Sequence, residues 1–353
     1  MPRPDGRLHA LTGLRFVGAL GIFAFHAQPL LPGWPWLTPL LAGGQSGVSF
    51  FFVLSGFVLT WSAGSGRIPA RVFWGRRAAR ILPAYWVAWL IGIPATWMAF
   101  GAWPAVGALV TTGSLTQAWF DDKSYYFGVN GVGWSLSCEV LFYALFPGLI
   151  TRVRRFRRRG LAGVAGGCLA LLGVLDLTGL VVDGSAAGNP AGSVFWWVSV
   201  LPVSRVPEFV LGMAAARAVS LGTGPIVPLR WAALGAVGAV YLAGLFPAAA
   251  VAGALTAGPF AVVICSAAAA ELSGRAGLMT RRPWVRLGTW SFAFYLTHQL
   301  VLRVSEWLWP ATGVFWLHLL VDAGAAVVVS AALHRFIERP AERRLRPRCG
   351  AAD

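Results

Sequence analysis

The stretch LTGLRFVGALGIFAFHA, residues 11–27, decides the fold class of this chain. It is apolar enough to form most of a membrane-spanning helix, which needs roughly 20 such residues. It nevertheless carries Arg15 and His26. An ionisable side chain inside a span costs on the order of 3 kcal/mol, so each needs a partner or a function. The stretch predicts a transmembrane helix that contributes to a functional site.

The whole chain has the composition of a membrane protein. Of its 353 residues, 57% are hydrophobic and 12% are charged, whereas about a quarter are charged in a soluble domain. We predict an all-α fold, a polytopic membrane helical bundle of about ten transmembrane helices. It forms a single membrane domain over residues 1–353, with short polar termini at about 1–7 and 341–353. The predicted spans are 8–31, 45–62, 81–100, 133–151, 161–182, 202–219, 229–246, 249–270, 287–305 and 314–336.

The net charge of +16 would indicate a nucleic-acid partner in a soluble protein. Here the predicted spans place 25 of the 29 basic residues on one side of the membrane. By the positive-inside rule, both termini are cytoplasmic and the number of spans is even. We therefore predict a multi-pass protein of the inner (cytoplasmic) membrane, with the lipid bilayer and not nucleic acid as the partner of its basic residues. The 28 arginines against one lysine indicate a bacterial source. The four cysteines show no C-x-x-C spacing, so neither a disulfide framework nor a metal site is predicted.

Arg15 and His26 are eleven positions apart. On an α-helix this separation is within about 20° of three full turns and covers roughly 16 Å along the axis. One helix face would then carry a cation at one end and a titratable base at the other, which suits a ligand lying along the helix. Alternatively, each side chain separately bonds to a neighbouring helix.

A carboxylate lies within a span in WSLSCEVLFYALFP, where Glu139 and Tyr143 are one turn apart. Inside a membrane, Glu139 is either protonated or paired with a cation or histidine, for which Arg15 and His26 are the candidates. The alternative is a neutral Glu139 that bonds across helices.

Arginines cluster at the cytoplasmic boundary in FWGRRAARILPAYW, which contains Arg76, Arg77 and Arg80. They are either ordinary positive-inside anchors or a phosphate clamp, since guanidinium groups bind phosphate oxygens in pairs.

Two further motifs add polar groups. In LGTWSFAFYLTHQL, Ser291, Tyr295 and His298 form one polar stripe on an apolar helix. In SRVPEF, Arg205 and Glu208 are spaced to neutralise each other.

Taken in order, these motifs resemble the acyltransferase-3 family of integral-membrane O-acyltransferases, from about residue 8 to residue 345. The shared segments are LTGLR…FAFH, GVSFFFVLSGFVLT, RRAARILPAYW, WSLSCEVLFY, SRVPEFVLGM, GTWSFAFYLTH and FIERP. The resemblance implies a ten-helix core, an acyl-CoA donor (commonly acetyl-CoA) on the cytoplasmic side, and transfer to a hydroxyl of a sugar-containing acceptor. That acceptor is an envelope polysaccharide or a glycosylated secondary metabolite.

The resemblance also implies roles for individual residues. Thr12 and Val140 depart from the family pattern, which commonly has Asp and often a second Glu there. We expect the catalytic residues to be His26, Arg15 and Glu139. The phosphates and the pantetheine arm of CoA are expected to bind Arg76, Arg77, Arg80 and Arg15. The expected substrate-binding residues are Tyr143, Arg205, Glu208, Tyr295 and His298.

His26 would act as general base on the acceptor hydroxyl, with Glu139 orienting or balancing its ring. Alternatively, His26 is acylated first and passes the group on. A rival function is a transporter or flippase in which Arg15, His26 and Glu139 form a proton relay. A third hypothesis is that the protein has this fold but has lost catalysis and acts as a sensor. The intact Arg15 and His26 disfavour it.

Overall fold

A computed structural model describes residues 8–30, 34–64, 66, 69–183, 193–225, 227–246, 253–310, 315–345 and 347. These residues are helical, with turns between the helices and no strand among them. The all-α prediction is therefore confirmed. The helices are α1 His9–His26, α2 Thr38–Gly43, α3 Gly47–Ala63, α4 Ala70–Phe100, α5 Val106–Gly113, α6 Lys123–Tyr126, α7 Trp134–Val153, α8 Arg158–Asp183, α9 Ser193–Phe195, α10 Val206–Ser220, α11 Leu229–Ala243, α12 Ala254–Leu272, α13 Arg282–Leu308, α14 Phe315–Leu333 and α15 Arg339–Leu345.

Each of the ten predicted spans coincides with one of these helices. Six helical segments among the described residues are long and apolar enough to cross a membrane, and α11 is a shorter apolar helix. These lengths support a membrane protein, while the count of ten and the cytoplasmic termini stay predictions. Residues 1–7 lie outside the described part of the chain, and 341–345 belong to α15.

Helix α4 begins eleven residues before the span predicted at 81–100, at Ala70. Arginine is a good helix former, so the basic segment continues the apolar helix instead of forming a loop. The helix ends at Gly101, whose φ is +67° and whose N–H donates to Trp97 O at 2.8 Å. A left-handed residue at this position is a common helix stop that favours glycine.

The helices form two units, and each is described by itself. The first comprises residues 1–28, 33–64 and 148–289, and the second comprises 29–32, 65–147 and 290–353. Helices α7 and α13 are divided between the two. The single membrane domain over residues 1–353 stays a prediction.

In the first unit, α3 and α10 cross closely at two glycines. A Cβ atom on Gly56 would clash with Phe209 O, and one on Gly212 would clash with Val53 O. Small residues at helix crossings let the backbones approach each other in membrane proteins. The FFVLSGF motif therefore contributes Gly56 to this crossing.

Helix α1 is fixed at its start by a residue from far along the chain. Glu271 accepts the N–H groups of His9 at 3.0 Å and Ala10 at 2.7 Å. These are N–H groups of the first turn, which have no partner within the helix, and a carboxylate there also interacts favourably with the helix dipole. A Cβ atom on Gly13 would come within 2.5 Å of Met279 O, so α1 also packs tightly on the segment after α12.

In the second unit, the segment between α4 and α7 packs back onto α4. Tyr85 donates from its hydroxyl to Thr112 O at 2.6 Å, and Trp89 Nε1 donates to Thr112 Oγ1 at 2.9 Å. The short helix α5 is therefore held against the long helix α4.

Candidate functional site

Arg15 and His26 both lie on α1, which is unbroken from His9 to His26. The eleven-residue separation on one helix, roughly 16 Å along the axis, is therefore present in the first unit. Both side chains are half-buried.

The ring of His26 is oriented by its own helix. Its Nδ1 lies 3.1 Å from Ile22 O, and the ring of Phe25 meets it edge-on at 5.1 Å. A carbonyl oxygen can only accept, so Nδ1 is the donor and carries the proton in the neutral ring. The lone pair of neutral His26 then lies on Nε2, the nitrogen at the far edge of the ring.

The first unit also contains a buried ion pair. Arg205 Nη2 lies 3.0 Å from Glu208 Oε1, and the two side chains are 3% and 0% exposed. The same nitrogen donates to Ser49 Oγ at 2.9 Å, and the guanidinium lies 5.5 Å from the ring centre of Phe52. The contact of Arg205 with Glu208 that their spacing predicts is therefore present.

Asp176 extends this pair and was missed by the sequence analysis. Its Oδ2 accepts the N–H of Ala254, the first residue of α12, at 2.8 Å. It also interacts electrostatically with Arg205 and Glu208. An aspartate in the middle of the apolar helix α8 is itself an expensive residue, and that signal alone could have revealed it.

The second unit brings together residues that the sequence placed in separate motifs. Glu139 and Tyr143 hydrogen-bond through their side chains, and Arg77 interacts electrostatically with both. Arg80 interacts with Arg77 and Tyr143. The Arg77 guanidinium also lies 5.7 Å from the ring centre of Phe73. We call Arg77, Arg80, Glu139 and Tyr143 the acid–arginine cluster.

Packing fixes the backbone on both sides of this cluster. Trp74 Nε1 donates to Tyr143 O at 2.9 Å, which ties α4 to α7. Phe73 of α4 also contacts α7, with ring centres 6.2 Å from Tyr143 and 4.9 Å from Phe146. Arg76 bonds to the C-terminal part of the chain, since its Nε lies 3.4 Å from Pro347 O.

The polar stripe of α13 borders the cluster. Tyr295 shares a hydrogen bond of 2.7 Å with Ser135 and donates to Val132 O at 3.0 Å, and it interacts electrostatically with Glu139. His298 is fully buried, and its Nδ1 lies 3.1 Å from Phe294 O and 2.9 Å from Tyr295 O. By the same reasoning as for His26, its lone pair lies on Nε2.

The two units thus hold two groups of predicted site residues. Arg15, His26, Arg205 and Glu208 belong to the first unit, while the acid–arginine cluster, Arg76, Tyr295 and His298 belong to the second. The predicted pairing of Glu139 with Arg15 or His26 joins residues of different units and stays a prediction.

A second buried acid was also missed by the sequence analysis. Asp322 is 1% exposed, and its Oδ2 lies 3.3 Å from His318 Nε2, which is also 3.3 Å from Ser305 Oγ. The position of this acid within the apolar helix α14 was the one sequence feature that could have identified it. Over the part of the chain that the structure describes, no three His, Cys, Asp or Glu side chains are grouped so as to hold a metal ion.

Comparison with known proteins gives matches over nearly the whole chain. The model of a family of acyltransferase-3 proteins, described as an acyltransferase domain, matches residues 8–335. Acyltransferase MdmB of Streptomyces mycarofaciens is 34% identical over 100% of this chain and 97% of its own length.

Two more distant relatives point in the same direction. Exopolysaccharide production protein ExoZ of Rhizobium meliloti is 28% identical over 86% of this chain and 92% of its own length. O-acetyltransferase OatA of Staphylococcus aureus is 30% identical over 44% of this chain and 26% of its own length. No solved structure matches.

Proposed function

Because this chain belongs to the acyltransferase-3 family and is a membrane O-acyltransferase, we propose that it moves an acetyl group from acetyl-CoA to a hydroxyl of a sugar-containing acceptor. The observation that carries the proposal is the orientation of His26. Its Nδ1 is held by Ile22 O at 3.1 Å, so the basic lone pair lies on Nε2 at the end of a membrane helix.

In the proposed reaction, His26 Nε2 takes the proton of the acceptor hydroxyl as that oxygen attacks the thioester carbonyl. The new C–O bond forms, the C–S bond breaks, and the CoA thiolate leaves and recovers the proton. General-base assistance of this kind contributes about 10²–10⁴-fold to a rate. The route through an acylated His26 has the same overall balance, with the C–N bond to the ring formed first and broken second.

For the donor, we propose that Arg76 and Arg80 hold the phosphates of CoA and that Arg15 lies along the path of its arm. Arg77 belongs with them, but its charge is already opposed by Glu139. We therefore propose that Arg77 both binds phosphate and stabilises the carboxylate of Glu139. A guanidinium forms charge-assisted hydrogen bonds to phosphate oxygens that are about twice as strong as neutral ones.

For the acceptor, we propose contacts with Tyr143, Tyr295 and His298, which lie in or beside the acid–arginine cluster. For Arg205 and Glu208 we favour a structural role over contact with the acceptor, because the two charges already pair with each other. The name of ExoZ, an exopolysaccharide production protein, supports a polysaccharide acceptor. The glycosylated secondary metabolite is the second candidate acceptor.

Replacement of His26 by Ala tests the reaction. With ¹⁴C-acetyl-CoA and membranes containing the inserted protein, we expect label transfer to envelope polysaccharide or metabolite extract to fall at least about 10²-fold. The matched control is His9→Ala, because His9 is also half-buried on α1 and bonds to Glu271 through its backbone. Unchanged turnover of His26→Ala would remove this residue from the mechanism. Proton-coupled solute uptake that needs no acetyl-CoA would favour the transporter instead.

Replacement of Arg80 by Ala tests donor binding. We expect the apparent KM for acetyl-CoA to rise about tenfold, as a lost charge-assisted hydrogen bond of roughly 1.5 kcal/mol implies. Arg71→Ala is the control, because Arg71 is an exposed residue of the same helix. Equal KM values for the two variants and the parent protein would reject the phosphate clamp.

A further inference from the structure

The first unit contains an apolar cavity that the proposed reaction does not use. It lies between α8, α10, α11 and α12 and has a volume of about 630 Å³. Alanine, glycine and leucine make up most of its wall, and no described residue of α1 lines it. The cavity therefore lies apart from the helix that carries the candidate catalytic residues Arg15 and His26.

The cavity follows α8 along much of its length. Arg158 and Leu169 both line it and are eleven positions apart on α8, a length of roughly 16 Å. At one end lie Arg158 at the start of α8, Val227 just before α11, and Trp231 in the first turn of α11. Trp231 is 58% exposed, so this end faces the surroundings of the protein.

Positive charge lies at this end of the cavity. Arg158 is exposed, and the guanidinium of Arg230 lies 5.5 Å from the ring centre of Trp231. None of the described lining residues is acidic. Tryptophan is enriched at the level of lipid headgroups, and basic pockets between membrane helices bind anionic headgroups.

We propose that this cavity binds an anionic phospholipid, with one acyl chain between α8, α10, α11 and α12 and the phosphate between Arg158 and Arg230. The apolar wall accounts for the chain, and the two guanidinium groups account for the charge. The cavity volume is within the usual range of roughly 300–1,000 Å³ for small-molecule sites.

Native mass spectrometry of the full chain in detergent, supplied with equal phosphatidylglycerol and phosphatidylcholine, tests the site. We expect the parent protein to retain phosphatidylglycerol about thirtyfold better, the combined effect of two arginines near a headgroup. Arg158→Ala should lower this preference to about fivefold, because Arg230 remains. Its matched control is Arg159→Ala, because Arg159 is the exposed neighbour that does not line the cavity.

A second variant tests the acyl-chain part of the site. Gly235 lines the cavity, and a Cβ atom there meets nothing within 4 Å, so Gly235→Leu should fill the cavity without a clash and reduce retention of both lipids. Gly238→Leu is the control on the same helix, with equally open space outside the lining. Equal retention of the two lipids by the parent protein, or unchanged retention by Gly235→Leu, overturns the proposal. Retention of palmitoyl-CoA in place of phospholipid overturns it too, by assigning the cavity to a donor.

Discussion

At the scale of single residues, Arg205 and Glu208 show how two charges are accommodated where neither is exposed. Removing each ion from water costs several kcal/mol. The compensation comes from their mutual contact at 3.0 Å, from Ser49, and from the start of α10, where Glu208 lies in the first turn and interacts favourably with the helix dipole. We infer that the pair holds α10 against α3.

Glu208→Gln should therefore act on stability. It leaves the Arg205 charge buried without its partner, and we expect a loss of about 3–5 kcal/mol in the free energy of unfolding. A thermal unfolding scan in detergent measures it as a lowered midpoint. Glu306→Gln, the same change at an exposed glutamate, should leave the midpoint unchanged. An unchanged midpoint for Glu208→Gln, with a raised KM for the acceptor alone, would show that the pair binds substrate.

Local spacing predicted the contact of Arg205 with Glu208, because i,i+3 neighbours on a helix meet whatever the rest of the chain does. Asp176 could not be placed in this way. Its partner N–H belongs to Ala254, 78 positions away, and only the packing of α8 on α12 brings them together. The hydrogen bond of Glu139 with Tyr143 could be predicted from their spacing on one helix. Their charged partner Arg77 could not, because it lies on another helix.

At the scale of helices, the crossing of α3 and α10 depends on the absence of side chains at Gly56 and Gly212. The clashing atoms are backbone oxygens, which cannot rotate away as a side chain would. The crossing also brings Ser49 and Phe52 of α3 to Arg205, so the geometry of the ion pair depends on it.

Gly56→Ala should destabilise the protein even though alanine favours the helix. We expect the overpacking to cost about 1–3 kcal/mol, more than the roughly 1 kcal/mol gained in helix propensity. Gly167→Ala on α8, where a Cβ atom meets nothing within 4 Å, gains the propensity alone. The thermal midpoint of Gly56→Ala should fall and that of Gly167→Ala should hold or rise. The reverse order would mean that the helices do not cross this closely.

Apolar runs predicted the helices well, because a buried or lipid-facing segment must be apolar whatever it packs against. They failed at the start of α4. The apolar run begins at residue 81, but the polar residues from Ala70 onward are already helical. Arginine loses little side-chain freedom in a helix, so a polar segment rich in arginine can still be helical.

At the scale of the whole molecule, the distribution of arginine predicts the orientation in the membrane. The segment of residues 152–159 alone contains six arginines. One of them, Arg154, also bonds to the last carbonyls of α3, with its Nη2 2.7 Å from Gly64 O. Arg154 therefore also caps the C-terminus of α3, where a cation is favoured.

Reporter fusions measure the topology. We expect green fluorescent protein after residue 353 to fluoresce and alkaline phosphatase there to be inactive, because both termini are predicted to be cytoplasmic. Asp121 lies between the third and fourth predicted spans, which an N-terminus in the cytoplasm places outside, so alkaline phosphatase inserted after Asp121 should be active. Insertion after Arg157, between the fourth and fifth predicted spans, is the cytoplasmic counterpart and should be inactive. An active phosphatase at the C-terminus would contradict a cytoplasmic C-terminus.

The contact of Glu271 with the start of α1 has a consequence for biogenesis. The helix that carries Arg15 and His26 is made first, but the carboxylate that accepts the N–H groups of His9 and Ala10 leaves the ribosome more than 250 residues later. Until then the first helix can sit in the bilayer without its final rotation or depth. The contact that fixes the start of α1 therefore forms only after Glu271 has been made, and a chain that stops before Glu271 lacks it.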